Sequence, residues 1–134
     1  MGKPIEVQAL LDTHAFLWWI ADSKRLSDAA REVIADEANE VLVSAASAWE
    51  ITTKFRIGKL PECQAIAVDV AGQVTGQGFV ELAIGVSDAE RAGHLPGLHR
   101  DPFDRMLAAQ SLARALPIVS VDRVFDEFGV IRIW

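Results

Sequence analysis

Acidic residues fall at the places where the chain's patterning changes from strand to helix. Asp12 directly follows the apolar run "IEVQALL", and Asp122 directly follows "LPIVSV". Glu50 lies in the second turn of the helix predicted after the run "EVLVSA", and Asp104 lies in the first turn of the helix opening "HRDPFDRMLAAQSLARA". In an open α/β sheet, ligands bind beyond the carboxyl ends of the strands, so these four carboxylates are expected at one edge. Together they repel one another, and holding them is costly without a cation among them. Oxygen donors with no His or Cys cluster suit a hard ion, Mg²⁺ or Mn²⁺. Next to a phosphate ester such an ion activates water for attack and neutralises the phosphoryl group.

Taken singly, each acid also has an ordinary role. Asp12 and Asp122 can each cap the helix that follows. Glu50 can pair with Lys54 one turn on, for a few tenths of a kcal/mol. Asp101 precedes Pro102, and a residue before proline is pushed into the extended backbone that an N-cap needs. Asp104 then falls at the third helical position. Of these two, Asp101 is expected to be the cap, while Asp104 could reach back to that cap or out toward the sheet edge. Other chemistry has thinner support. His14, His94 and His99 share no metal-binding spacing and read as surface or packing residues. No phosphate-binding Gly-rich loop or nucleophile-elbow pattern occurs.

The elements that must position these acids follow from hydrophobic periodicity. Strands are predicted at 5–11, 40–45, 79–84, 116–121 and 130–134. Helices are predicted over 13–21, from Ser27 as N-cap, over 47–61, over 65–75 with Gly72, Gly76 and Gly78 weakening and then ending it, over 87–95 and over 101–115, with a brief turn at 122–128. Strand and helix alternate throughout, and the strands are short, apolar and β-branched. The pattern predicts a three-layer α/β/α sandwich around a mainly parallel sheet of roughly five strands, in one domain spanning residues 1–134.

Bulk properties narrow the setting. The 134 residues are 51% hydrophobic and 24% charged, as expected for a folded domain with a sizeable core. A lone cysteine, Cys63, cannot form an intrachain disulfide, which suits a reducing cytoplasm. No secretory signal is visible, and "MGKPIE" carries Glu6 where a myristoylation site needs Ser or Thr. The longest uncharged apolar run, "AFLWWIA", has seven residues, against about 20 needed to span a bilayer. A soluble, cytoplasmic protein with no membrane partner is expected. The net charge of −6 argues against nucleic-acid binding by a general basic field and favours a basic partner or a bound cation.

The segments "ALLDTHAFLWW", "SAASAWEITTKFRIGKL" and "HRDPFDRMLAAQSLARALPIVSVDRVFDEFGV" closely resemble PIN-domain ribonucleases of the VapC toxin type, over nearly the whole chain from about residue 7. By that resemblance, Asp12, Glu50, Asp104 and Asp122 match the acids that surround Mg²⁺ or Mn²⁺, Ser120 matches a hydroxyl position just before the last acid, and Thr13 is a second supporting hydroxyl. The resemblance implies endonucleolytic cleavage of RNA to a 5′-phosphate and a 3′-hydroxyl, a homodimer, and a VapB-like antitoxin whose basic side chain reaches into the acidic site. Lys54, Arg56, Arg105 and Arg123 are then candidate contacts to RNA or partner, and Trp18 or Trp19 a candidate apolar anchor. Three alternatives remain: a PIN-like binding module without activity, a haloacid-dehalogenase-like phosphatase, which wants an acid where His14 stands, and a response-regulator receiver, which wants a lysine where Asp122 stands.

Overall fold

The computed structural model describes residues 5–134; the N-terminal tetrapeptide, where the reading for a targeting signal begins, lies outside the described residues. Among the described residues, five strands form one sheet: β1 (Gln8–Leu11), β2 (Glu40–Ser44), β3 (Val80–Leu82), β4 (Ile118–Val119) and β5 (Arg132–Ile133). Their order is β3-β2-β1-β4-β5, and every neighbouring pair is parallel. The helices are α1 (Thr13–Ile20), α2 (Asp28–Ala35), α3 (Ala45–Arg56), α4 (Gln64–Ala67), α5 (Val70–Gly76), α6 (Val86–His94), α7 (Pro102–Arg114) and α8 (Val124–Glu127), with a 3-10 turn at Pro61–Cys63.

Alternate residues of the strands feed two cores, one on each face of the sheet. Ala9, Leu11, Val41, Val43 and Val119 pack with Phe16, Ile34, Ile51 and Val74. Leu10, Leu42 and Ile118 face the other way and pack with Leu107, Ala108 and Phe125. Both faces being covered explains why the strands read as continuous apolar runs.

From β1 the chain winds outward through β2 to β3, then returns to the other side of β1 for β4 and β5. The direction of winding therefore reverses between β1 and β4, whose carboxyl ends lie side by side: the amide of Asp12 donates to the carbonyl of Val119 at 3.1 Å. This reversal leaves a crevice that no crossover covers.

The paired strands are shorter than the apolar runs that announce them. Residues 5–7 are exposed and precede β1, and pairing ends at Val119 on β4, before Ser120 and Val121 turn away. Ser44 closes β2 and caps α3, so that helix begins at Ala45 rather than Ser47 and ends at Arg56. The helix expected over 65–75 is two, broken at Val68–Asp69. Asp69 caps the second, its carboxylate accepting from the amide of Gly72 at 2.9 Å. Gly72 does not weaken this helix. A Cβ there would lie 2.1 Å from Asp69 Oδ2, so the absence of a side chain admits the cap.

Helix α7 is held against the rest of the molecule by a polar lock that sequence patterning did not show. Buried Asp88 of α6 takes two bonds from the Arg114 guanidinium, at 2.9 and 3.1 Å. The hydrogen bond from Arg114 outweighs burial and holds the Asp88 carboxyl below its ordinary range. Fully buried Gln110 accepts from the Ser44 hydroxyl and donates to the carbonyl of Ala83 at 3.2 Å. These contacts set where the first turn of α7, carrying Asp104, meets the crevice.

Candidate active site

A cleft of about 410 Å³ opens at the crevice, and Asp12, Glu50, Asp104 and Asp122 all line it. Thr13, His14, Trp18, Lys54, Asp101 and Val121 complete its wall. The four acids come from the end of β1, from α3, from the start of α7 and from the turn after β4, so only folding assembles them.

Each acid is held differently. Asp12 is buried; one carboxylate oxygen accepts from the amide of Ala15 at 2.7 Å, capping α1, and the other accepts from the Ser120 hydroxyl. The capping role and the site role thus belong to one side chain. Burial pushes its pKa up to about 6, against the lowering effect of those two hydrogen bonds and with added repulsion from Glu50 and Asp122. Ser120, itself fully buried, also accepts from the amide of Asp122 at 2.9 Å, so one hydroxyl orients both acids at the reversal. Buried Glu50 accepts from the Thr13 hydroxyl at 2.6 Å and pairs with Lys54. Burial alone would lower the Lys54 pKa, but the bond to Glu50 and the charges of Glu50, Asp101 and Asp104 raise it above its ordinary value. Asp122 is exposed and accepts from the amide of Val124 at 3.0 Å.

Asp101 and Asp104 separate as expected in their local structure. Asp101 has extended backbone, φ −61° and ψ 114°, and its Oδ1 accepts from the amides of Phe103 (2.8 Å) and Asp104 (3.0 Å). Asp104 is part-buried and faces the cleft, with Oδ2 2.9 Å from His99 Nε2. Burial pushes its pKa up to about 6; the His99 hydrogen bond opposes this, and the charges of Asp101 and Glu50 add to it.

Several expectations are corrected. Arg105 is not a free contact for RNA or partner, because its guanidinium is spent on the backbone carbonyls of Ala92 and His99, both at 3.0 Å, and of Leu95. His99, read as a surface or packing residue, packs on Phe128 and in addition touches Asp104. Trp18 and Trp19 part company: Trp18 lines the cleft beside His14 and packs on Trp134. Trp19 points elsewhere, packed on Phe79 with its indole N–H donated to Gln77 Oε1 at 2.9 Å. Among the bases, Lys54 lines the cleft, whereas Arg56 and Arg123 are exposed and outside its lining. Patterning also missed Trp49, which is 61% exposed and edge-on to Phe103.

Among the described residues, no group of three or more His, Cys, Asp or Glu is disposed to hold a metal ion as it stands. The four acids nonetheless share one cleft. It is a set of oxygen donors two of which, Asp12 and Asp104, are desolvated without an opposing cation close enough to keep their pKa values in the ordinary range. That deficit of positive charge fits a hard divalent ion, which uses few carboxylates and keeps several of its waters.

The PIN domain family matches residues 9–131 of the sequence. The chain belongs to the PIN-domain family. It is 33% identical to Ribonuclease VapC22 of Mycobacterium tuberculosis over 119 residues, covering 85% of this chain and 86% of that protein. Two solved structures share its fold. VapC20 of Mycobacterium tuberculosis, a Sarcin-Ricin loop cleaving toxin, superposes with a TM-score of 0.66 at 17% identity, over 92% of this chain and 96% of that one. VapBC2 from Rickettsia felis, bound to a DNA fragment from its promoter, gives 0.66 at 16% identity, over 94% and 97%. Membership of this family removes the phosphatase and receiver alternatives. No helix among the described residues is long and apolar enough to cross a membrane.

Proposed function

We propose that this protein is a divalent-metal-dependent endoribonuclease acting as the toxin of a toxin–antitoxin pair. One observation carries the reading: four carboxylates from four separate elements line a single cleft at the point where the sheet reverses its winding. Homology to a VapC ribonuclease supports the substrate class. The five strands share one sheet, which supports a single domain.

Asp12, Asp104, Glu50 and Asp122 are the residues that would hold the ion, Mg²⁺ or Mn²⁺. When bound, it supplies activation of water and neutralisation of the phosphoryl group. The chain's own residues prepare for this. Ser120 and the amide of Ala15 orient Asp12, and Thr13 orients Glu50. Lys54 is a cation at the cleft wall, placed to balance Glu50 and to meet a phosphate of the RNA backbone. Exposed Arg56 and Arg123 extend that contact with the strand.

The purified protein should cleave single-stranded or loop RNA, leaving 5′-phosphate and 3′-hydroxyl ends, with Mg²⁺ or Mn²⁺ and not in excess EDTA. Full activity in EDTA would remove the metal from the mechanism. Absence of cleavage with either ion, by folded protein free of antitoxin, would favour a binding module without activity.

The acidic cleft and net charge of −6 fit a VapB-like antitoxin that presents a basic side chain, and the protein is read as a cytoplasmic homodimer. Of the two adjacent indoles, Trp18 is the one at the cleft, so it is the proposed anchor. Trp18→Ala should weaken antitoxin binding by about 2 kcal/mol, as expected of an aromatic hot spot. Trp19→Ala should leave affinity nearly unchanged and lower the melting temperature. Titration calorimetry on both variants would reject the anchor if Trp18→Ala bound as tightly as wild type.

A further inference from the structure

We propose that His99 is a positioning residue for Asp104, and that Arg105 and Phe128 build the seat that holds it. The inference rests on reading Asp104 as a metal ligand. The segment between α6 and α7, residues 95–101, has no regular structure, and Leu98 within it is 97% exposed. Such a segment would ordinarily leave its side chains mobile. His99 is an exception, tied at three points. Its carbonyl accepts from the Arg105 guanidinium at 3.0 Å, and its ring stands edge-on to Phe128 with centroids 6.1 Å apart. Its Nε2 lies 2.9 Å from Asp104 Oδ2.

Arg105 makes the seat rigid. Its remaining donors take the carbonyl of Ala92 in the last turn of α6 and that of Leu95 just beyond. Its guanidinium carbon lies 5.9 Å from the centroid of the Phe128 ring. One side chain of α7 thus closes the end of α6, pins the connecting segment, and shares with His99 the aromatic ring on which both rest. The following residue to the acid is therefore the one that fixes the acid's partner.

The consequence falls on Asp104. A carboxylate in the first turn of a helix can rotate about its bond to the chain. A donor held from outside the helix stops that rotation by fixing Oδ2, and so sets where Oδ1 points. Carboxylates that bind metals depend on such partners, and losing one typically costs about 10–100-fold in metal affinity or activity.

Mn²⁺ affinity, measured by titration calorimetry on the full chain, separates this role from simple packing. His99→Phe keeps a ring against Phe128 and removes the donor; it should weaken Mn²⁺ binding about 10–100-fold while the protein stays folded. His99→Gln places an amide N–H near the position of Nε2 and should restore affinity close to wild type. His99→Asn, whose amide stops short of Asp104, should behave like His99→Phe, and it provides the comparison if the Phe variant does not fold. Equal Mn²⁺ affinity in wild type, His99→Phe and His99→Asn would overturn the inference and leave the metal site standing. A Gln variant as weak as the Phe variant would also overturn it, since the donor would then not be what matters. Wild-type protein that takes up no Mn²⁺ would instead overturn the reading of the site itself.

Discussion

Asp104→Ala is expected to abolish RNA cleavage, while Asp101→Ala keeps most of the activity and loses about 1 kcal/mol of stability. The two acids are three residues apart and line the same cleft, yet their bonding differs. Asp101 spends Oδ1 on two backbone amides at the start of α7. Removing it leaves amides uncapped, a cost of stability. Asp104 accepts from no helix amide; its Oδ2 is met by His99, and it lines the cleft together with Asp12 and Glu50. Removing it takes away a proposed ligand. Asp101 also raises the Asp104 pKa by its charge, so Asp101→Asn is the useful control, since it retains a capping oxygen and removes only the charge. RNA cleavage assays beside thermal melts decide the matter. A dead Asp101→Ala and an active Asp104→Ala would reverse the assignment.

Without metal, Asp104→Asn should melt higher than wild type at pH 7.5, and the difference should close as pH falls from 6 towards 4. The folded wild type must ionise a carboxyl whose pKa is about 6, whereas Asn bears no charge at any pH.

The second large effect is on pH and metal together. Asp12 and Asp104 both have folded pKa values of about 6, above the unfolded value of 3.8. Between pH 4 and 6 the folded state therefore binds more protons than the unfolded chain, and metal-free stability falls as pH rises through that window. With two such groups the slope approaches roughly 2.7 kcal/mol per pH unit at its steepest, since each proton contributes about 1.36. Above pH 6 their destabilising contribution is complete and no longer changes. Asp88 acts in the opposite sense. Its pKa is lowered by Arg114, so its stabilisation is lost only as pH falls below the ordinary carboxylate range, outside the window of the other two.

A metal held by Asp12 and Asp104, as proposed, would have to displace the protons that they hold below pH 6. Mn²⁺ affinity should accordingly drop by about 30-fold between pH 6 and pH 5, roughly fivefold for each group of pKa about 6, and approach a hundredfold per pH unit only further down. Calorimetry in two buffers of different ionisation enthalpy would count those protons directly. Melts with saturating Mn²⁺ should lose the trend of the metal-free protein: with those protons displaced, the folded and unfolded chains both hold almost none above pH 5, and stability should be nearly flat from pH 5 to 7. Affinity that is flat over this range would mean that neither acid is a ligand.

The local rules read from sequence were enough wherever a contact lies within one turn. Asp101 before Pro102 had to be extended and so had to cap α7; nothing distant was needed. The alternation of apolar strands with helices likewise determined a parallel sheet covered on both faces, and with it the edge where Asp12 and Asp122 emerge. The strand order, and therefore the reversal that sets those two acids side by side, depends on which strands pair across the sheet, and no local pattern carries that.

The same division runs through the site. Glu50 could be placed at the correct end of the sheet, but that it bonds Thr13 as well as Lys54 depends on how α3 packs against α1. Trp18 and Trp19 are alike as residues, and only the positions of Trp134, Phe79 and Gln77 send one to the cleft and the other to a packing role. In "HRDPFDR", Asp101 follows a local rule, whereas Asp104 could be read as near the sheet edge and was singled out by the family resemblance. His99 and Arg105 take their roles from Phe128, Ala92 and Leu95, which arrive from other elements. Patterning measures the polarity of a residue and its distance along the chain. The partner of a polar group is chosen by distance through space, and that becomes available only when the sheet has closed and α7 has been locked against it.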